Sequence, residues 1–320
     1  MTSFMVPVAL FNFNRPHLTR KVFEIVRQIK PSHLLLVSDG PRANNSEDVH
    51  LCAEVRAIFE EINWECEVFR NFSGTNLGCD KRISSGLDWV FETVEEAIIL
   101  EDDCLPSLSF FRFCEELLKR YRDDKRIGII SGNNFVAPDA EQGDCSYYFS
   151  AYALTWGWAT WRRVWQQVDM SMSWWKQKVD KKMLRTLYPN TEERKYWCQL
   201  YEAIRKGEHD NAWDYQLMLS LIRYSELCVV PRVNLISNIG YGDGGTHCFD
   251  ESSPLANQPR GGIEFPLSHP LDISRNVKFD HDIFKARFGI NKLQTLYQRF
   301  VAKVRLFFLK RLLNVRKGGK

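Results

Sequence analysis

Three consecutive carboxylates, Glu101-Asp102-Asp103, directly follow the short apolar run of residues 97–100. The run predicts a strand buried on both faces, because its apolar residues are continuous rather than alternating. In an open α/β sheet, ligands bind at the carboxyl ends of the strands. Three adjacent negative charges favour a bound cation, and carboxylate oxygens suit Mn²⁺ or Mg²⁺. The segment therefore predicts a metal and ligand site, with a solvated acidic turn as the alternative.

A further candidate carboxylate, Asp214, comes directly after Trp213, near the start of an expected helix at residues 211–224. A carboxylate within hydrogen-bond reach of a hydroxyl can act as its general base. Asp210 lies four residues earlier and would share the same helical face, so it is the second candidate for this role. The alternative for both is an acidic residue of the first helical turn, stabilised by the helix dipole.

The segment 239–247 contains four glycines within six residues. Glycine accepts backbone conformations that other residues avoid, so this segment is either a mobile lid or an ordinary surface loop. Gly244 and His247 are its candidate ligand contacts, and a solvated histidine is the alternative.

Aromatic and basic side chains supply the remaining candidates. Trp158 and its neighbours Trp156 and Trp161 are suited to stacking on sugar rings, or equally to core packing. Lys81 and Arg82 follow an expected helix start, from where a cation can reach a phosphate group. Solvated surface cations are the alternative for this pair.

Strands and helices alternate through the first 130 or so residues. Ser46 is the expected N-cap of the second helix. Such alternation predicts an α/β fold with a Rossmann-like, mostly parallel sheet and helices on both faces. The expected strands are 6–13, 34–37, 66–70, 97–100, 127–130, 147–153 and 227–230. The expected helices are 15–29, 46–61, 76–92, 108–121, a segment that begins directly after Trp161, and 211–224.

The charge of the chain is unevenly distributed. Its 320 residues include 43 basic and 40 acidic ones, but residues 283–320 contain eleven basic residues and no acidic one, which leaves a net charge of −8 on the first 282. Apolar residues recur at helical spacing from Leu293, which predicts a basic amphipathic C-terminal helix. We expect it to bind an anionic membrane surface, with packing on the protein's own core or on a protein partner as the alternative.

Composition also bounds the organisation of the chain. The nine cysteines form no CxxC pair, which argues against a zinc site and a disulfide framework. With no signal-peptide pattern and no apolar run that could span a membrane, we expect a cytoplasmic protein on the inner face of the membrane. The acidic body argues against a nucleic-acid partner. We expect one domain at 1–282, with a nucleotide-sugar-binding half at 1–132 and an acceptor-binding half at 133–282, followed by the basic tail at 283–320.

The order of the motifs resembles that of GT-A fold glycosyltransferases. It is most similar to the inverting N-acetylglucosaminyltransferase I type and, more distantly, to bacterial polysaccharide sugar transferases. The resemblance covers roughly residues 5–250. It rests on Asn12-Phe13-Asn14-Arg15, Ser38-Asp39, Glu101-Asp102-Asp103, Gly157-Trp158, Trp213-Asp214 and the glycine-rich loop.

The resemblance implies a metal-dependent, inverting transfer of a sugar from a nucleoside-diphosphate sugar, such as a UDP-sugar, to a glycan or lipid-linked acceptor in surface polysaccharide synthesis. It implies Asp214 as catalytic base and Asp103 as the ligand of Mn²⁺ or Mg²⁺. The implied donor-binding residues are Asn12, Arg15, Asp39, Lys81, Glu101 and Asp102, and the implied acceptor or lid residues are Trp158, Trp213, Gly244 and His247.

Two other functions stay open from the sequence. A sugar nucleotidyltransferase shares such a sheet and an acidic site, although residues 11–18 lack the glycine-rich basic loop expected after its first strand. A membrane-active or carbohydrate-binding protein without enzymatic activity would account for the basic tail, but it would leave the ordered carboxylates unexplained.

Overall fold

A computed structural model describes residues 4–137, 144–177, 181–209, 213–242 and 252–289. Its strands are β1 (Val8–Asn12), β2 (His33–Ser38), β3 (Glu67–Phe72), β4 (Glu96–Glu101), β5 (Cys104–Pro106), β6 (Ile127–Ser131), β7 (Tyr147–Ser150), β8 (Trp158–Trp161), β9 (Leu227–Pro231) and β10 (Ile236–Asn238). Eight of them form one sheet in the order β3-β2-β1-β4-β8-β6-β9-β7, while β5 and β10 form a small antiparallel sheet.

The α-helices are α1 (Pro16–Ile29), α2 (Ser46–Ile58), α3 (Cys79–Thr93), α4 (Leu108–Tyr121), α5 (Arg162–Trp165), α6 (Lys181–Leu187), α7 (Thr191–Arg205), α8 (Trp213–Arg223) and α9 (Val277–Ile283). Short 3₁₀ turns lie at Phe59–Glu61 and Ser173–Gln177, and a π-helical turn at Phe284–Phe288 continues α9. Helix α1 packs against α2 and α4, whereas α3 packs against α5 and α8.

The predicted Rossmann-like α/β fold is confirmed, and β1 to β4 pair in parallel. Strand β1 lies between β2 and β4, so the strand order reverses beside it. Residues of β2 and β4 such as Leu35 and Ile98 are fully buried. Because helices cover both faces of such a sheet, its strands are apolar on both sides, and this explains the continuous apolar runs in the sequence.

The aromatic segment 156–161 contains a strand that was not predicted. Trp158–Trp161 is strand β8, which pairs antiparallel with both β4 and β6. The helix expected directly after Trp161 is present as α5, which begins at Arg162. Gly157 precedes the strand with a φ of 59°, a conformation that favours glycine. Strand β8 therefore joins the parallel half of the sheet to its second half.

The start of α2 also differs by one residue from the prediction. The side chain of Asn45, rather than Ser46, accepts hydrogen bonds from the backbone N–H groups of Glu47 and Asp48. Asparagine is among the preferred N-cap residues, because its side-chain oxygen satisfies N–H groups that lack a helical partner. Asn45 is therefore the N-cap.

The end of the described chain packs into the body of the protein. Phe279, Ile283 and Phe288 are buried, and Asp280 accepts hydrogen bonds from Ser150 and forms an ion pair with Arg275. This packed segment crosses the expected boundary between residues 282 and 283. The helix expected from residue 293 lies outside the described residues. Within the part of the chain that the structure describes, none of the helices has the length and apolar character needed to cross a membrane.

Candidate active site

The carboxyl ends of β1, β2 and β4 border one cavity of about 440 Å³. Strand β1 ends at Asn12, β2 is followed by Asp39, and β4 ends at Glu101, so each strand brings a polar side chain to the same edge. The reversal of strand order beside β1 is where a crevice forms in such sheets. Asp214 of α8 and Arg287 of the π-helical turn also line the cavity.

Arg15 lies against the acidic triplet. Its guanidinium forms ion pairs with Asp102 and, at 3.1 Å, with Asp103. Burial disfavours the charge on Arg15, but the attraction of Asp102 and Asp103 outweighs it and raises the pKa of Arg15. The site therefore contains a permanent cation that two carboxylates hold at the sheet edge.

The negative charge of the Glu101 carboxylate is only partly compensated in this arrangement. Burial and the repulsion from Asp103 and Asp102 raise the pKa of Glu101 to about 8, although Arg15 opposes the shift. Burial also raises the pKa of Asp102. One guanidinium thus balances only part of the negative charge that three adjacent carboxylates would carry.

These residues do not form a complete site for a resident metal ion. Asp102 forms an ion pair with Arg15, and Asp103 forms an ion pair with the same guanidinium. Nowhere in the described ranges do three or more metal-ligating side chains gather. Mn²⁺ and Mg²⁺ favour oxygen-rich, near-octahedral coordination, which these side chains do not supply by themselves. Binding of Mn²⁺ or Mg²⁺ by Asp103 stays a prediction.

The carboxylate of Asp39 is buried and holds the loop that precedes α3. It accepts hydrogen bonds from the backbone N–H of Leu77 at 2.9 Å and of Gly78 at 3.2 Å, and from the side-chain amide of Asn76 at 2.9 Å. The backbone N–H of Gly40 adds a further bond at 2.8 Å. A carboxylate has about four acceptor positions. Asp39 therefore shapes the cavity wall, and its recognition of a nucleobase stays a prediction.

Asn12 lines the cavity as expected, and its side chain accepts a hydrogen bond from Ser38 at 2.6 Å. Lys81 does not line the cavity, because its side chain is exposed on α3 away from the lining residues. Arg82, the next residue, lines the cavity instead and donates to Asn71. The helical turn between these two residues places one cation inside and the other outside.

The tryptophans divide between core and cavity. Trp158 is 1% exposed in β8 and does not line the cavity, so its expected contact with sugar is wrong and the core-packing alternative holds. Its ring centroid lies 6.1 Å from that of Trp213, which does line the cavity. Trp156, two residues before Trp158, also reaches the cavity wall. Gly244, His247 and Asp210 lie outside the described residues.

Asp214 occupies the first turn of α8 and borders both the main cavity and a side cavity of about 30 Å³. Burial raises the pKa of Asp214, and the nearby charge of Arg287 opposes this shift. Its carboxylate accepts a hydrogen bond from the backbone N–H of Tyr215 at 3.0 Å. The structure thus brings Asp214 into the same cavity as the acidic triplet, and its role as a base stays a prediction.

Sequence reasoning missed several residues that border these cavities, and four of them bear on the chemistry of the site. Phe13 and Arg42 lie at the Asp39 end, where the guanidinium is 5.6 Å from the ring centroid. Arg287 and Asn133 lie near Asp214. Phe13 stood within a quoted motif, but Arg287 was counted with the basic tail, and no local pattern marked Asn133.

No protein-family model matches the sequence, and no curated protein sequence matches it. Among solved structures, the chain is similar to UDP-glucose pyrophosphorylase complexed with UDP-glucose, with 14% identity over 47% of this chain and 64% of that chain and a TM-score of 0.28. It is also similar to a cytidylyltransferase from Leptospira borgpetersenii, with 11% identity, coverage of 52% and 64%, and a TM-score of 0.31. The 4-diphosphocytidyl-2C-methyl-D-erythritolsynthase of Anaerococcus prevotii gives 11% identity, coverage of 59% and 85%, and a TM-score of 0.33.

The chain thus spans 64% of the length of the first two structures. The sheet order and the cavity at its carboxyl edge define an α/β protein with a Rossmann-like nucleotide-binding fold.

The expectation of a metal-dependent inverting glycosyltransferase is corrected. The structures described above are a pyrophosphorylase, a cytidylyltransferase and a diphosphocytidyl-methylerythritol synthase, and a GT-A glycosyltransferase is not among them.

Proposed function

We propose that the cavity binds a nucleoside triphosphate and a sugar phosphate, and that the protein transfers the nucleotidyl group to the sugar phosphate. The observation that carries this proposal is Arg15, a guanidinium that two carboxylates fix at the carboxyl edge of the sheet. Phosphoryl-transfer catalysis depends mainly on positioning and on stabilising negative charge around phosphorus. A preorganised arginine is suited to both tasks.

The Asp39 end of the cavity supports a nucleoside-binding role. Phe13 offers an aromatic ring, with Arg42 held near it by an ion pair to Asp48. Asn12 and Asn76 add amide groups to the same wall. The cavity volume of about 440 Å³ lies within the usual range for small-molecule sites. An aromatic surface beside amide groups suits a nucleobase, which has a flat face and a polar edge.

The proposed reaction does not need a general base. An anionic oxygen of the sugar phosphate attacks the α-phosphorus of the triphosphate, and the new phosphorus–oxygen bond forms there. The bond from the α-phosphorus to the oxygen that bridges to the β-phosphate breaks, and pyrophosphate leaves with the electron pair. Since the attacking oxygen carries no proton, Asp214 is available to accept hydrogen bonds from sugar hydroxyls. Arg15 stabilises the negative charge around the α-phosphate.

The test supplies the full chain with each common nucleoside triphosphate as its magnesium complex, together with glucose 1-phosphate, and measures pyrophosphate and the nucleoside-diphosphate sugar. We expect both products, and a decrease of about 100-fold or more in kcat for Arg15→Gln. Arg20→Gln on α1, the helix that begins directly after Arg15, is the matched control, because Arg20 pairs with Glu61 outside the cavity.

Release of a nucleoside diphosphate from a nucleotide sugar, without any pyrophosphate chemistry, would contradict the proposal. Unchanged turnover in Arg15→Gln would also contradict it. Far-ultraviolet circular dichroism and thermal unfolding of both variants show whether a loss of turnover reflects a loss of fold.

A further inference from the structure

Arg287 and Asn133 present hydrogen-bond donors where the side cavity joins the main cavity. On the basis of the proposed function, we infer that these two residues bind the phosphate group of the second substrate and thereby select a phosphorylated sugar over a neutral one. The two cavities share Trp156, Asp214 and Arg287 in their walls. The inferred subsite is thus separate from Arg15 but opens into the same space.

Aromatic rings hold the guanidinium of Arg287 in place. Its central carbon lies 5.3 Å from the ring centroid of Trp156, 5.7 Å from that of Phe135 and 5.6 Å from that of Phe288. Trp156 and Phe135 pack edge to face at 5.1 Å, so the aromatic wall is itself fixed. Within the described ranges, Arg287 forms no salt bridge within 4.0 Å. Stacking leaves the N–H edge of a guanidinium available to an anion.

Asn133 provides a second donor at this point, and it is 1% exposed. Its side-chain oxygen accepts a hydrogen bond from the backbone N–H of Trp156 at 3.2 Å, which fixes the orientation of the amide. The Nδ2 group is buried and has no hydrogen-bond partner among the described residues. A buried donor without an acceptor is costly, and ligand oxygens at the side cavity would satisfy it.

The chemistry of this subsite favours a phosphate over a neutral group. A guanidinium and an amide N–H₂ are both donors, and phosphate offers several strong acceptor oxygens. Asp214 is an acceptor beside them, and it suits the hydroxyls of the sugar rather than its phosphate. One anionic group and one set of hydroxyls on the same ligand match this combination, and a sugar phosphate carries both.

The experiment measures binding by calorimetry with glucose 1-phosphate, inorganic phosphate and the neutral methyl glucoside, and measures KM for both substrates in the pyrophosphate assay. For Arg287→Gln we expect a decrease of about 10- to 100-fold in glucose 1-phosphate affinity, an equal rise in its KM, and an unchanged KM for the triphosphate. Arg287→Lys should recover part of the affinity. Lys285→Gln is the control, because Lys285 is exposed on the same turn and does not line either cavity.

Asn133→Asp gives a second, independent measure of phosphate binding. The introduced carboxylate repels a phosphate group, so the substitution should weaken binding of glucose 1-phosphate but not of methyl glucoside. The inference is overturned if Arg287→Gln binds glucose 1-phosphate with the same affinity as the unchanged protein. It is also overturned if the unchanged protein binds methyl glucoside more tightly than glucose 1-phosphate. If phosphate binding depends on Arg287 but no pyrophosphate is made, the proposed function fails and the subsite stands. If transfer occurs and Arg287→Gln leaves the KM for glucose 1-phosphate unchanged, the proposed function stands and the subsite inference fails.

Discussion

Asp39 shows how one buried carboxylate organises one end of the cavity. Its oxygens accept hydrogen bonds from Gly40, Asn76, Leu77 and Gly78, and the last two precede α3. Asp39→Asn replaces one acceptor oxygen by a donor that faces other donors. We expect the free energy of unfolding to fall by about 1–3 kcal/mol, measured by urea denaturation.

Asp123→Asn is the control for this substitution, because Asp123 is exposed after α4. It should leave the free energy of unfolding within about 0.5 kcal/mol of the original value. Equal stability of the Asp39 and Asp123 variants would show that the bonds to the loop contribute little, and would return Asp39 to a ligand-binding role alone.

Glu226 gives the fold a pH dependence away from the cavity. Burial raises its pKa from 4.5 to about 7, and Arg163, whose Nη1 lies 3.9 Å from a carboxylate oxygen, opposes the shift. At a pH between these two pKa values, the Glu226 carboxyl keeps its proton in the folded state and has lost it in the unfolded state. The free energy of unfolding therefore decreases as the pH rises through this range. Glu226→Gln should remove about 2–3 kcal/mol of that decrease, measured by denaturation at pH 4.5, 6 and 8.

Other titrating groups contribute equally to both proteins, so the difference between their pH profiles isolates Glu226. Glu92→Gln is the matched control, because Glu92 is exposed on α3 and should leave the profile unchanged. Parallel profiles for the original protein and the Glu226 variant would mean that this carboxyl does not titrate in the stated window.

At the scale of single residues, the sequence predicted those site residues that directly follow strands. The acidic triplet was found because it directly follows a buried strand, and the carboxyl ends of such strands meet at one edge, whereas the site roles of Asn12, Arg15 and Asp39 came from the resemblance to a known family. Arg287 was not found, since its position depends on contacts with Phe135 and Trp156, more than 130 positions earlier in the chain. No local period or charge pattern carries that information.

At the scale of elements, prediction succeeded where burial produces a simple pattern. The strands β1, β2 and β4 are apolar on both faces, and α4 was placed at its observed bounds, 108–121. Strand β8 was missed because four residues with three apolar or aromatic side chains have no distinguishing period. Only its pairing with β4 and β6 makes this segment a strand.

At Gly86, helix α3 lies close to the sheet. A Cβ atom at this position would lie 2.5 Å from the Phe11 ring and 2.7 Å from Val37, and both of these side chains are buried. We expect Gly86→Ala to destabilise the protein by about 1–2 kcal/mol, because overpacking outweighs the better helix propensity of alanine. Urea denaturation measures the change.

Gly74→Ala is the control for this contact, since a Cβ there meets no atom within 4 Å. If Gly86→Ala is as stable as the original protein or more stable, the core adjusts to the methyl group and the close helix–sheet contact is not limiting.

At the scale of the whole molecule, the C-terminal segment connects the core to the candidate site. Asp280 links α9 to Ser150 of β7, Phe279 and Ile283 are buried, and Arg287 reaches the cavity. The sequence placed residues 283–289 in a separate basic tail, because charge alone was used to set the boundary. Packing moves the end of the folded body at least to Gly289 and makes the cavity wall that Arg287 lines depend on this segment.

Two truncations separate the folded body from the expected membrane-binding tail. Removal of residues 290–320 should preserve the fold and the cavity at the sheet edge, because the segment up to Gly289 keeps its buried contacts. It should also release the protein from phosphatidylglycerol vesicles in a sedimentation assay, since nine of the eleven basic residues after 282 are lost with it. Removal of 277–320 should instead leave the protein insoluble, because it uncovers the core around Tyr148 and Tyr152 that Phe279 and Phe288 cover.

Salt provides the physical control for the membrane prediction. Attraction between exposed charges is screened within about 10 Å at 0.1 M salt, so vesicle binding of the full chain should decrease strongly between 0.05 and about 0.5 M salt. Neutral phosphatidylcholine vesicles should bind neither protein. If the protein ending at Gly289 aggregates while the full chain stays soluble, residues 290–320 cover an apolar surface of the body or of a partner, and the membrane prediction is wrong. If it still binds anionic vesicles, the binding surface lies within residues 1–289 and the tail is dispensable for it.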